Sequence, residues 1–294
     1  RVAAVRAVVA LDPGRASGAL GPYLHSDDPG LVAVAIEAMI QMQGYTASNP
    51  AISVLEGILE KGANAPAGVR RETTRLLGRL GDGRYTSHLA RYISDPDPSV
   101  RRLAANSARN VFREDFIPLL LKMLSDRTTR PEAREALAAY GDRVIGILEE
   151  WLNDRERPLE VRLRLPRVIR MIGTQRAGEV LLFSNIQDDA FLRYRIALAL
   201  SGMRQHFDLR FDRQWALEAV DRRLDSYRYY DRLYRILACY LPPASLVIKV
   251  LRERLEQNIE VAFRVLGLVY PHRTMMNIYN RMKNATGEEW SDAM

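Results

Sequence analysis

The chain has 294 residues, 47% of them hydrophobic, with a net charge of +7. One cysteine, Cys239, excludes an internal disulfide framework and points to a reducing compartment. No run approaches the roughly 18 consecutive apolar residues of a membrane span, and none reads as a secretory signal.

In chain order the pattern is helical throughout, with strand signals scarce. Val2, Val5, Val8 and Val9 open on a helical spacing, and Leu20, Tyr23 and Leu24 close a first A helix. After the turn Asp27-Asp28-Pro29, a B helix carries Val32, Ala35, Ile36, Met39 and Ile40 and ends at Gly44. Pro50 begins the next A helix, with Ile52, Leu55, Ile58 and Leu59. Its partner runs from about Pro66 to Leu80 and stops at Gly81-Asp82-Gly83. The third pair has Leu89, Tyr92 and Ile93 on its A stripe, Asp95-Pro96-Asp97-Pro98 as the turn, and Val100, Leu103, Ala104, Ser107 and Ala108 on the B helix. Aspartate before a B helix caps free N–H groups, and proline suits the first turn, where no donor is required. The same device is expected at Ser125-Asp126, Asn153-Asp154 and Asp188-Asp189, and glycine C-caps at Gly141 and Gly173. From about residue 207 the rhythm lengthens. A helical stretch covers Arg213 to Tyr240, continuous or broken near Ser226. A pair follows at about 244–257 and 259–270, then a short helix over Thr274–Lys283.

A period of about 31 residues underlies this order. An apolar residue followed by arginine recurs at Val69-Arg70, Val100-Arg101, Val161-Arg162 and Leu192-Arg193, with a weaker copy opening at Pro131-Glu132-Ala133-Arg134. Such a period means stacked units rather than one central globule.

Helical repeats with an Asp-rich inter-helix turn and Val-Arg opening the B helix resemble the HEAT-repeat family, with a period shorter than its usual length. The Trp…Leu-Gly…Tyr pattern of tetratricopeptide repeats and the Thr-Pro-Leu-His of ankyrin repeats are missing. The resemblance implies an all-α fold: a HEAT-like α/α superhelix of about seven to nine helical pairs in a right-handed curved stack. The whole chain, 1–294, reads as a single solenoid, with short regular repeats over 1–206 and longer helical pairs over 207–294. Val161–Leu200 and Tyr229–Tyr270 further resemble the soluble HEAT region that follows a nucleotide (ATP:ADP) antiporter-type transporter domain in some bacterial multidomain proteins. That resemblance implies a cytoplasmic module on a membrane-associated parent protein. The helical pattern at Arg1 and the new helix start shortly before Met294 are read as those of an excised fragment.

The basic side chains are the candidate sites. Of 43, only Lys61, Lys122, Lys249 and Lys283 are lysine. Arginine grips carboxylates and phosphates bidentately, although a GC-rich coding sequence gives the same bias. Arg70, Arg101, Arg162 and Arg193 read as a structural ladder. Asp97 stands four residues before Arg101, and Asp189 four before Arg193. This spacing suits Asp–Arg pairing within a repeat or between repeats, preferred here over a phosphate-binding stripe. Arg71, Arg102, Arg164 and Arg195 have fewer local acids and are the candidate binding face on the concave B-helix surface. In the basic–aromatic cluster of residues 228–235, Tyr230, Leu233, Tyr234 and Leu237 fall on a core stripe, and Arg228, Arg232 and Arg235 on a solvated one.

Catalytic chemistry has no carrier in the pattern. His25, His88, His206 and His272 stand far apart and, with Cys239, lack metal-ligand spacing. Glu149-Glu150 and Glu288-Glu289 are adjacent pairs that do not face one another on a helix. Trp151, Trp215 and Trp290 are scattered, and no phosphate loop or nucleophile elbow is present. No cofactor, metal or catalytic residue is expected. The expected function is a non-enzymatic scaffold that binds protein domains in cis or in trans. Nucleic-acid binding of the HEAT-like DNA glycosylase type is the alternative, and a bilin-lyase-like enzyme is a more distant third.

Overall fold

The computed structural model describes residues 19–46, 48–184 and 189–289, and residues 3, 5, 7 and 11 singly, with side chains described up to residue 284. Val2, Val8, Val9, Asp188, Trp290 and Met294 lie outside the described residues, as do the side chains of Glu288 and Glu289. The described residues form helices and no strand. The fold is an all-α helical-repeat stack. It divides into two compact units, one ending at Tyr140 and the other beginning at Gly141.

In the first unit a short 3₁₀ turn, Gly21–His25, precedes α1 (Pro29–Gln43), α2 (Pro50–Lys61), α3 (Ala67–Leu80), α4 (Thr86–Ile93), α5 (Pro98–Ala108), α6 (Phe116–Met123) and α7 (Arg130–Ala139). The B helices α1, α3, α5 and α7 pack in sequence, and the A helices α4 and α6 pack alongside. Two starts follow the aspartate caps read from the sequence, and Asn49 supplies a third. Asp28 accepts from the Gly30 N–H at 2.8 Å, Asn49 from Ala51 at 3.1 Å, and Asp97 from Ser99 at 2.8 Å. Each is followed by proline in the first turn. Asp126 departs from the expected device. It accepts from the Thr128 N–H inside the turn, and Thr129 is the residue that precedes α7.

Small residues on the B helices permit their close approach. Ala104, Ala105 and Ala108 on α5 and Ala133 and Ala136 on α7 are fully buried. A Cβ at Gly78 on α3 would collide with Ser107 on α5, and that bare backbone lets the Ser107 hydroxyl donate to the Thr74 carbonyl at 3.1 Å. The A helices fill the remaining volume with Ile117, Leu120 and Leu121. Truncating such a buried leucine to alanine costs about 2–5 kcal/mol. Tyr140 closes the unit: its hydroxyl donates to the Ala108 carbonyl at 2.9 Å, and burial pushes the phenol well above its ordinary pKa.

The second unit contains α8 (Asp142–Asn153), α9 (Leu159–Arg162), α10 (Leu165–Ile172), α11 (Gln175–Phe183), α12 (Ala190–His206), α13 (Arg213–Ala238), α14 (Leu246–Val269) and α15 (His272–Glu289). Here α10, α12 and α14 pack in sequence, α8 meets α11, and α13 and α14 form a long helical hairpin. Gly173, at φ 72°, ends α10 in the left-handed region that side chains disfavour. The Asn153-Asp154 turn also departs from the expected cap. Asp154 accepts from Glu156, and α9 starts only after Pro158.

The sequence rhythm misplaces three boundaries. The stretch opening at Val161 is not one helix but α9 and α10, because Pro166 has no N–H for the carbonyl one turn back. The pair expected at 244–257 and 259–270 is one helix, α14. No glycine or proline stands at the expected break near 257–259, and the Asn258 side chain bonds back to the Arg254 carbonyl at 2.8 Å without breaking the ladder. Ser226 does the same to Arg222 at 3.0 Å, so α13 is continuous. The last helix, α15, is longer than the expected 274–283.

Candidate functional site

The first unit builds its arginines into the joints between repeats. Arg70, near the start of α3, is buried and grips the equally buried Asp95 bidentately, with Nε at 2.9 Å and a terminal nitrogen at 3.1 Å. Its other terminal nitrogen collects the Ala63 and Ala65 carbonyls at 3.0 and 2.5 Å. Arg101 repeats the device one unit on. It donates to the Asp95 and Pro96 carbonyls at 2.8 and 3.0 Å and to the Asp126 carboxylate at 2.8 Å. Each arginine therefore neutralises the carbonyl ends left open before its own helix and the aspartate of the following loop.

The pairing differs from the spacing that suggested it. Asp97 caps α5 and lies 3.9 Å from Arg71, while Arg101 reaches forward to Asp126. Arg101 meets Asp97 only through its backbone N–H. The rung expected near Arg134 is Arg130, whose guanidinium bonds the Leu124 and Ser125 carbonyls at 2.6 and 2.8 Å. The sequence carried a signal for it, since Arg130 stands four residues after Asp126 as Arg101 does after Asp97.

Arg71 and Arg102, assigned to a binding face for want of local acids, are both answered from the next repeat. Arg102 bonds Glu132 at 2.6 Å, and Arg71 reaches Ser99 at 3.5 Å beside Asp97. Sequence distance hid these partners, which lie about one period away. Arg79–Glu37 at 2.8 Å and Arg109–Glu135 at 3.5 Å continue the mixed-charge surface. Between α1 and α3 it forms a groove of about 510 Å³, lined by Arg71, Arg75 and Arg79 together with Asp28 and Glu72.

At one edge of this unit Arg84 lies 3.6 Å over the Tyr45 ring and grips Asp82. Hydrogen bonds from the Arg84 side chain and backbone hold the Asp82 carboxyl down to about 2. Burial, then the Asp82 charge, pushes the Tyr45 phenol up to about 12. Hydrogen bonds from Ser99 and Thr128, first among several causes, hold Asp97 and Asp126 below the usual carboxylate range.

In the second unit Arg162 is buried and donates to the Leu152 carbonyl at 3.1 Å. Asp189 caps α12 through the Leu192 N–H at 3.0 Å. Arg164 is partly buried at the break between α9 and α10, and Arg195 is exposed on α12. The side chain of Arg193 lines a cleft with Arg222 and Arg223, a grouping that residue spacing did not indicate. In the basic–aromatic segment, Tyr234 is buried with Tyr230, Leu233 and Leu237 packed around its cluster. Arg228 pairs with Asp225 and Arg235 with Asp231. Trp151 lies under the Arg157 guanidinium at 4.5 Å, and Trp215 packs on the core of α12–α14. Among the described residues no group of three or more His, Cys, Asp or Glu is placed to hold a metal ion, and no helix is long and apolar enough to cross a membrane.

The family model of HEAT repeats matches residues 63–141, the stretch that carries α3 to α7 and the Arg70–Asp95 and Arg101–Asp126 rungs. No curated protein matches the chain. Among solved structures it is similar to human deoxyhypusine hydroxylase in complex with glycerol, at 15% identity over 95% of this chain and 99% of that one, with a TM-score of 0.30. A likeness that loose transfers neither geometry nor activity. The expectation that the chain is no enzyme is withdrawn, the similar protein being a hydroxylase by name, and no activity is assigned to this chain in its place.

Proposed function

We propose that the chain is a helical-repeat scaffold whose B-helix surface docks a protein domain, in cis or in trans. The observation that carries this reading is the mixed charge of that surface in the first unit. A phosphate-binding face would leave its arginines unanswered, whereas Arg71, Arg79, Arg102 and Arg109 each have a carboxylate within 2.6–3.9 Å. Exposed pairs of this kind contribute only about 0–1 kcal/mol each. A partner with charges of its own displaces them at little cost and gains orientation from them.

The parent protein, in this reading, is a membrane-associated transporter-like protein, and the chain is its regulatory part on the cytoplasmic side. What supports it is the resemblance of Val161–Leu200 and Tyr229–Tyr270 to the soluble region of such proteins.

The test is binding of the purified chain to short DNA and RNA, duplex and single-stranded, across a salt series, beside capture of protein domains by wild type and an Arg71→Glu/Arg102→Glu variant. The expected result is no micromolar nucleic-acid binding at physiological salt, and protein capture that the variant loses while its Tm moves by less than about 5 °C. Micromolar nucleic-acid binding with a steep salt slope overturns the reading.

A further inference from the structure

The second unit holds a cleft of about 620 Å³ between the end of α11 and helices α12, α13 and α14. Ile196, Ala197, Ala219, Val261 and Val265 belong to its lining, with Trp215 beside them. A space of this size with mostly apolar walls and a few polar groups is the usual form of a small-molecule site. Its described charged lining is one-sided: Arg193, Arg222 and Arg223 are present, with the hydroxyl-bearing Ser184 and Ser226, and no carboxylate is among the described lining residues.

Arg223 is the informative residue. It lies on the α13 stripe of Ala216, Ala219 and Val220, which packs into the core. Among the described residues it has neither a hydrogen-bond nor an ion-pair partner. Burial, then the like charges of Arg193 and Arg222, push it down to about 10. It is therefore still charged at neutral pH, in a site that only partly hydrates it. Arg193, which has contacts of its own, and Arg223 also line a neighbouring crevice with Tyr230, Arg254, Gln257 and Asn258. A partly buried cation among like charges is a liability for folding unless an anion completes the site.

We propose that this cleft binds a phosphomonoester bearing an apolar body, with the phosphate among Arg193, Arg222 and Arg223 and the body along Ile196, Val261 and Trp215. A dianion is favoured over a single carboxylate because Arg222 and Arg223 bring two guanidinium groups to the cleft beside Arg193, and no carboxylate is among its described lining residues. Phosphate oxygens match guanidinium donors bidentately. The site lies wholly in the second unit and stands independently of the docking surface proposed for the first.

The experiment is titration calorimetry of the purified chain at pH 7.5 and 0.15 M salt. The probes are 1-naphthyl phosphate, octyl phosphate and inorganic phosphate. The expected result is that at least one ester binds roughly tenfold or more tightly than inorganic phosphate. Arg223→Met and Arg222→Gln should each weaken that ester roughly tenfold or more. Arg222 is exposed, so its variant keeps the test open if Arg223→Met folds poorly. Preference for the octyl ester identifies a lipid-type phosphate, and preference for the naphthyl ester a ring-bearing one. Either supports the site. Esters no tighter than inorganic phosphate overturn the proposal, as does unchanged ester affinity in both variants.

Discussion

Arg70 and Arg101 in the first unit and Arg223 in the second use arginine in opposite ways. In the first, the guanidinium of Arg70 is spent on Asp95 and two carbonyls, and that of Arg101 on Asp126 and two more. In the second, Arg193, Arg222 and Arg223 share a cleft with no carboxylate among its described lining residues. The same residue type thus serves as a joint where a repeat supplies acceptors at fixed positions, and at Arg223 as a charge with no partner among the described residues. A net charge of +7 spread evenly over a surface would teach little. The grouping of Arg222 and Arg223 in one cleft separates a structural use of arginine from the ligand-binding use proposed for it.

The largest effect should come from breaking the buried joint. Replacing Arg70 by methionine leaves Asp95 buried without its cation and two carbonyls without a donor. The expected loss is about 3–5 kcal/mol, read by denaturant unfolding. A loss below about 1 kcal/mol would mean that the joint is solvated after all.

A smaller pair of substitutions sharpens the distinction between joint and surface within one helix. Arg101→Ala removes charge-assisted bonds to Asp126 and two carbonyls and should cost about 1–3 kcal/mol. Arg102→Ala removes one exposed pair with Glu132 and should cost about 0–1 kcal/mol. Equal, negligible losses would dissolve the ladder.

Acid should act on the first unit through its turns. Asp82, Asp97 and Asp126 have folded pKa values below their ordinary values. Their stabilisation is present in full above the unfolded carboxylate range, near 4. It is lost as pH falls through the folded values, which for Asp82 means about 2. Circular dichroism from pH 5 to pH 2 should therefore show falling thermal stability in wild type, with a smaller fall in Asp82→Asn and Asp126→Asn. An equal fall in all three chains would remove these aspartates as the cause.

Much of the fold was legible because its local signals repeat. The Asp-Pro starts at residues 28–29 and 97–98 and the roughly 31-residue spacing of Val-Arg pairs placed the helices of the first unit. The partners were not legible, because Arg70 meets Asp95 and Arg102 meets Glu132 across one period, where local spacing says nothing. The joining of 244–270 into one helix was missed because a rhythm of short pairs was carried into a region where no breaker enforces it. The cleft was hidden by the ordinary look of Arg222-Arg223. The sequence signal was the place of Arg223 on the apolar stripe of Ala216, Ala219 and Val220. Seeing it requires knowing that this stripe faces α12 and α14.

The most direct measurement is thermal unfolding of the ligand-free chain carrying the same substitution in each unit, Arg70→Met or Arg223→Met. The account predicts opposite signs: Tm falls for Arg70→Met, where acceptors are orphaned, and rises for Arg223→Met, where a partly buried unanswered charge is removed. A fall in both would contradict it, because Arg223 would then be a structural joint like Arg70 and the two units would use arginine in the same way.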